Sequence, residues 1–262
     1  MTDDAELFDF SRKVVLEAAA LFRTFVKADA KRIVAESLDH RETKFSADIR
    51  LNEFLLGRLE STALQVLSEE AELPHSGKLQ GRFWVLDPLD GSVNYARGSG
   101  AYGISLALMD GLTPEFGIVY RLDAPAMYAG GRCFSSTRDG IEIAVSHVPS
   151  RDHATIATGF PARFRLDDPQ QRADFLADID GYAKVRMLGS AAVSLCLVAE
   201  GSVDTYSERA IMLWDVAAGL AIVKGAGGQV LMIGGPLDPL HVTASNGRVG
   251  PQEPQAPATF HW

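Results

Sequence analysis

Along residues 5–27, apolar side chains recur every three or four positions. Leu7, Phe10, Val14, Ala18, Leu21, Phe22 and Phe25 fall on one face, a spacing that predicts an amphipathic helix. A second helix is predicted from about 48 to 59, with Ile49, Leu55, Leu56 and Leu59 turned inward and Ser46 available as its cap. From "RFWVLDP" to about Val145 the pattern becomes short apolar runs broken by glycine and proline. "YGISLALMDG", "FGIVYRL", "AMYAGG", "RCFSS" and "IEIAVS" predict strands of one mostly antiparallel sheet.

After "HVPSRDH" strand and helix patterns alternate. "ATIATGF" reads as a strand and "DPQQRADFLADIDGYA" as a helix with an acidic first turn. "KVRML" is a short strand, "GSAAVSLCLVAEG" a buried helix and "SVDTYSE" a strand. "LWDVAAGLAIVKGAGG" is a helix stopped by its glycines, and "QVLMI" a final strand. Such alternation predicts an α/β arrangement. The chain divides on this reading into an N-terminal α+β half (1–146), a C-terminal α/β half (147–250) and a proline-rich, extended tail (251–262).

Composition narrows the function classes. With 262 residues, 47% of them hydrophobic, the chain can bury a sizeable core. A formal charge of −9 argues against a non-specific nucleic-acid binder, which needs a basic face to displace counterions. No apolar run is long enough to span a bilayer, and "MTDDAELFDF" lacks the basic flank and apolar centre of a secretory signal. Cys133 and Cys196 form no CxxC pair and are expected to be reduced packing residues. The expectation is a soluble cytoplasmic protein with neither membrane nor nucleic acid as partner.

Within "WVLDPLDGSVNY" an apolar run ends in two aspartates, Asp87 and Asp90, with Pro88 between them and Gly91-Ser92 after them. Two anions held that close repel unless something positive sits with them. Pro88 fixes one backbone angle and Gly91 permits close approach to a ligand. The segment after Asp90 can begin a helix whose free N–H groups face an anion. Further acids stand at Glu69-Glu70 in "LSEEAEL", Asp215 in "LWDVAAG" and Asp48 in "KFSADIR". Each alone is an ordinary turn, loop or helix-end acid. Together they form an oxygen-only set, which favours Mg²⁺ over softer metals that call for His or Cys. Paired Mg²⁺ ions can clamp the attacking and leaving oxygens of a phosphoryl transfer. Gly98, Gly100 and Gly103 fit the spacing G-x-G-x-x-G, but the strand that follows makes a turn the better reading than a dinucleotide loop. No G-x-S-x-G elbow or HExxH occurs, and His75, His147, His153 and His241 read as surface or loop residues.

"DPLDGSVNY" resembles the inositol monophosphatase motif D-P-[IL]-D-G-[ST]-x-N-[FY], and "LWDVAAG" is similar to its second motif, W-D-x-A-A-G. With Asp48, Glu69-Glu70, "ATGFP" and "GSAAVSLCLVAEGSVD" in order, the likeness runs from about residue 5 to 248. The resemblance implies a layered α-β-α-β-α sugar-phosphatase fold and Mg²⁺-dependent hydrolysis of a phosphomonoester, with two or three ions per site. It assigns one metal to Glu69, Asp87 and the Leu89 carbonyl, and another to Asp87, Asp90 and Asp215. It gives the Gly91 and Ser92 amides to phosphate, and Ser92 and Glu69 to the attacking water, with Asp48 supporting Ser92. Gly189, Ser190 and Ala191 would face the substrate, with Asp90 and Asp215, and Glu208 would bind a substrate hydroxyl. Lithium inhibition and a homodimer are also implied. Among small phosphorylated substrates, inositol monophosphate comes first. Fructose 1,6-bisphosphate, histidinol phosphate and 3′-phosphoadenosine 5′-phosphate stand behind it. Arg163, Arg165, Lys184, Arg186 and Arg209 are candidates for a second phosphate. The chain departs from the family at Gly225, where E-A-G-G is common, and Val93-Asn94 differs from the Lys-Glu of bisphosphate nucleotidases. The rival readings are a phosphatase-like binding protein and a two-metal nuclease.

Overall fold

Two β-sheets divide the chain. The computed structural model describes residues 3–29, 46–71, 79, 81–160, 165 and 167–250. The predicted Ser46 cap, His75, Arg163 and the 251–262 tail lie outside the described positions or side chains. Helices α1 (Asp4–Asp29) and α2 (Ser46–Leu59) come first. They are followed by β1 (Gln65–Ser68), β2 (Arg82–Asp90), the short helix α3 (Ser92–Arg97), β3 (Gly103–Asp110), β4 (Thr113–Arg121), β5 (Ala126–Gly131), β6 (Phe134–Arg138) and β7 (Ile141–Glu142). These seven strands make one sheet in sequence order. It is antiparallel throughout except where β1 runs parallel to β2. Then come β8 (Thr155–Ala157), α4 (Pro169–Ile179), β9 (Lys184–Arg186), α5 (Ala191–Ala199), β10 (Thr205–Ile211), α6 (Leu213–Gly225), β11 (Gln229–Ile233) and β12 (Leu240–Ser245). The second sheet has the order β11-β12-β10-β8-β9.

The elements stack as α-β-α-β-α. Helices α1 and α2 cover one face of the first sheet, while α5 and α6 fill the space between the sheets. Helix α4 lies against the second sheet, tied to it by Arg209 of β10, whose guanidinium donates to Asp178 of α4. Alternation along β2 explains the division. Trp84 and Leu86 face α1 and α2, whereas Phe83 and Val85 face the helices between the sheets.

The central helix sits unusually close to the sheet because glycines line its path. A Cβ on Gly117 of β4 would stand 2.3 Å from the Ala218 carbonyl oxygen of α6, and one on Gly219 would stand 2.5 Å from Leu195 Cβ of α5. Gly225, where the chain departs from the family motif, lies in a similarly crowded place: a Cβ there would meet the Phe134 carbonyl oxygen at 2.6 Å.

Several sequence expectations need correction. Ile49 is 43% exposed and Leu51 takes the inward position, since the buried stripe of α2 is Leu51, Leu55 and Leu59. "QVLMI" is not the last strand, because β12 follows and inserts between β11 and β10. The first turn of α4 is not acidic. Its acid is the N-cap Asp168, which accepts from the Gln170 and Gln171 amides ahead of a proline at the first position. Cys133 is exposed, Cys196 is buried, and both are free thiols. His241 is no loop residue: it lies in β12 with its Nε2 buried. No helix among the described residues is long and apolar enough to cross a membrane.

Candidate active site

Strand parity brings the acids together. In a regular strand, residues three apart point to opposite faces. Asp87 pairs with Ser105 and Asp90 with Gly103, so β2 carries one residue more than β3 over this stretch. That bulge falls between Asp87 and Asp90, a span that includes Pro88, which has no N–H to give the ladder. It restores Asp90 to the face that Asp87 already occupies, toward α5 and α6. In parallel register Ser68 stands beside Leu86, and the Glu69 amide donates to the Leu86 carbonyl at 3.1 Å. Glu69 thereby stands next to Asp87 and shares its face. Asp215 arrives from the first turn of α6, accepting from the Met212 amide at 3.0 Å.

Glu69, Asp87 and Asp215 each offer an oxygen within 4.8 Å of the others. Asp87 is buried and its Oδ1 accepts from the Leu89 amide at 2.9 Å, while its Oδ2 is buried with no hydrogen-bond partner. A buried carboxylate oxygen without a donor is costly unless a cation completes it. Burial, then the charges of Glu69, Asp90, Asp215 and Asp48, push the Asp87 carboxyl well above its ordinary range. Asp215 is raised likewise by burial and by Glu69 and Asp90. These residues fit a hard divalent cation, since every donor is oxygen and the buried Asp87 Oδ2 has no hydrogen-bond partner.

Asp90 stands at the edge of this trio and faces α5. Its Oδ2 accepts from the Ser190 hydroxyl at 2.5 Å and from the Ala192 amide at 2.8 Å. Burial raises its carboxyl to about 6 despite those hydrogen bonds. Ser190, in the helix start expected to face substrate, thus has its hydroxyl engaged with Asp90. Ser190 also caps α5 by accepting from the Val193 amide.

Gly91 adopts φ 82, and a Cβ there would lie 2.5 Å from the Ala101 carbonyl oxygen, so this turn requires glycine. Ser92 then opens α3, directly after that turn. Asp48 is buried in the first turn of α2 and close enough to raise Asp87. Leu89 is buried against the outer helices. Gly189 has φ 71 and precedes the start of α5, where Ala191 is the first helical residue.

Glu208 enters from β10, buried, with the Tyr206 hydroxyl donating to its Oε2 at 2.9 Å. Burial pushes its carboxyl up to about 7, opposed by that hydrogen bond and aided by the charge of Asp90. A Cβ on Gly159 would come within 2.6 Å of the same oxygen, so glycine there leaves the carboxylate its room. Sequence reasoning gave no role to Tyr206 or Asn94, although Asn94 lies inside the motif "DPLDGSVNY".

The sequence profile of the inositol monophosphatase family matches residues 3–259. A protein of Aquifex aeolicus named fructose-1,6-bisphosphatase/inositol-1-monophosphatase is 35% identical over 182 residues, 70% of this chain and 68% of that one. An inositol-1-monophosphatase of Mycobacterium bovis is 35% identical over 57% of this chain and 52% of its own length. The solved inositol monophosphatase of Anabaena superposes with a TM-score of 0.77 at 28% identity, over 93% of this chain and 92% of that one. Sequence motifs, layered fold and clustered carboxylates therefore converge, and the chain belongs to the inositol monophosphatase family of phosphomonoester hydrolases.

Proposed function

We propose that this phosphatase is Mg²⁺-dependent and that its substrate is a small polyol monophosphate, inositol monophosphate first. The observation carrying this reading is the meeting of Glu69, Asp87 and Asp215 around a buried Asp87 oxygen that lacks a donor. Glu69, Asp87, Asp90, Asp215 and the Leu89 carbonyl would hold two or three ions. When bound, Mg²⁺ supplies positive charge that polarises phosphoryl oxygens and makes water a competent nucleophile near neutral pH. The Gly91 and Ser92 amides receive the phosphate, and Glu69 with Ser92 orients the water, Asp48 supporting Ser92. Glu208, held through Tyr206, accepts a hydroxyl of the leaving alcohol, with Gly189 to Ala191 lining the same side.

Among the described residues, the basic candidates favour a monophosphate over a bisphosphate. Arg209 is committed to Asp178 at 2.7 Å and lies 4.0 Å from Asp174. Arg165 pairs with Asp167, and Lys184 and Arg186 are exposed on β9. The name of the Aquifex relative keeps fructose 1,6-bisphosphate as the second substrate to test. Phosphate release should be measured on inositol monophosphate, fructose 1,6-bisphosphate, histidinol phosphate and 3′-phosphoadenosine 5′-phosphate, each in MgCl₂ and in EDTA. The expected result is fastest release from inositol monophosphate and none in EDTA. Release undiminished by EDTA would reject the metal role. No release from any substrate would favour a phosphatase-like binding protein. The same reading includes selective inhibition by LiCl against NaCl and a homodimer in sedimentation.

A further inference from the structure

The side chain of Asn94 joins two segments far apart in the chain. Its Nδ2 donates to the Leu188 carbonyl at 2.7 Å across 94 residues, to the Ala101 carbonyl at 2.9 Å, and at 3.3 Å to the Gly189 carbonyl. Its Oδ1 accepts from the Ser99 hydroxyl at 3.2 Å. An amide carries two N–H donors and one acceptor, so this arrangement uses all of them. The two ends of the link are shaped to receive it. Ala101 has the left-handed φ of 52, and its amide donates to Asp123 at 3.0 Å. Gly189 has φ 71, and a Cβ there would stand 3.1 Å from Asn94 Nδ2.

The next residue after that turn is Ser190, whose hydroxyl donates to Asp90, as does the Ala192 amide two residues on. The chain of contacts therefore runs from Asn94 to the 188–189 carbonyls, through the turn to Ser190 and Ala192, and onto Asp90. Asn94 itself follows Asp90 by four residues, on α3. The link closes a ring that sets the start of α5 against the acidic loop. Val93 beside it is 65% exposed and makes no comparable tie.

We propose that Asn94 is a positioning residue: it holds the Leu188–Gly189 turn so that Ser190 and Ala192 fix the orientation of the Asp90 carboxylate for metal binding. This rests on the magnesium reading above. Groups that orient a metal ligand through hydrogen bonds commonly change affinity tenfold to a hundredfold when removed.

The test is calorimetric titration of MgCl₂ into the metal-free full chain, comparing wild type with Asn94→Asp. Aspartate keeps the shape, loses both donors and turns an acceptor toward carbonyl oxygens. The expected result is Mg²⁺ binding weakened by roughly tenfold, with a native circular dichroism spectrum. The Mg²⁺ concentration for half-maximal activity should rise by the same factor, while KM at saturating Mg²⁺ stays within about twofold of wild type, a split that general loosening of the fold would not produce. Ser190→Ala should also weaken Mg²⁺ binding, and the double variant should lose less than the sum of the two. Unchanged Mg²⁺ affinity in a folded Asn94→Asp, or additive losses in the cycle, would overturn the proposal and leave the phosphatase reading standing. Absence of any Mg²⁺ binding by wild type would overturn that reading itself. Should Asn94→Asp fail to fold, Gly189→Ala crowds the same amide and must show the same weakening, or the proposal falls.

Discussion

The two faces of the seven-stranded sheet are packed by different means. On the outer face, aromatic bulk fills the space under α1 and α2. Phe8 stacks on Phe134 with ring centroids 4.2 Å apart and meets Phe116 edge-on at 5.2 Å, while Trp84 also contacts Phe116. On the inner face large side chains such as Phe83 and Tyr128 also pack, but glycine sets how near α6 lies, and backbone touches backbone at Gly117 and Ala218. Side-chain packing can relax by changing rotamers, whereas a backbone contact cannot. The inner face also carries Glu69, Asp87 and Asp90, and Asp215 of α6 meets them there. The face that must place carboxylates to a fraction of an ångström is the one whose spacing is set by main chain.

The sharpest way to break this comparison is at the acids. Asp215→Asn should lower kcat by no less than the roughly hundredfold upper range seen for residues that merely orient ligands, with the fold retained. Stopped assays in saturating Mg²⁺ beside circular dichroism would check it, and near-normal turnover would remove Asp215 from the site.

Next in size is the response of metal-free protein to pH. Burial and mutual repulsion raise the carboxyls of Asp87 and Asp215, and Asp90 is raised to about 6. Unfolded aspartate titrates near about 3.9. Between those values the folded state binds more protons than the unfolded one, so stability falls as pH rises through the window. In EDTA the thermal midpoint should drop between pH 5 and pH 7.5, and Mg²⁺ should reverse the drop. A midpoint that climbs over this range in EDTA would contradict the buried cluster.

Gly117→Ala sets the inner face against the outer. Its methyl meets the Ala218 carbonyl oxygen at 2.3 Å, so a loss of about 1–3 kcal/mol is expected. That corresponds to a midpoint lower by roughly 2–10 °C. Phe8→Leu on the outer face should cost about 1 kcal/mol, the worth of its aromatic pairing. Equal thermal shifts for the two variants would erase the distinction. The smallest effect belongs to Ile49→Lys, which should stay within about 0.5 kcal/mol because the side chain is exposed.

Much of this molecule was readable as local pattern. The three-and-four spacing of α1, the apolar runs of β3 to β5 and the two acidic motifs each carry their meaning in adjacent residues. Strand β12 was not readable, because "LHVTAS" mixes polar and apolar residues and gains its place only by pairing on both sides. Ile49 misled because an apolar residue one position off the buried stripe looks the same as one on it. Asn94 stood inside a motif yet showed no function there, since its partners lie at 101, 188 and 189.

What the amino-acid order determined by itself was the chemistry on offer: which carboxylates exist, that proline and glycine punctuate them, and which family the motifs resemble. Only the tertiary structure decided that Asp87 and Asp90 share a face, that Asp215 meets them from α6, and that Ser190 belongs to Asp90. The physical reason is that a bulge, a parallel register and a glycine-lined contact are each defined by a second segment of chain, and spacing along one segment contains no information about the other.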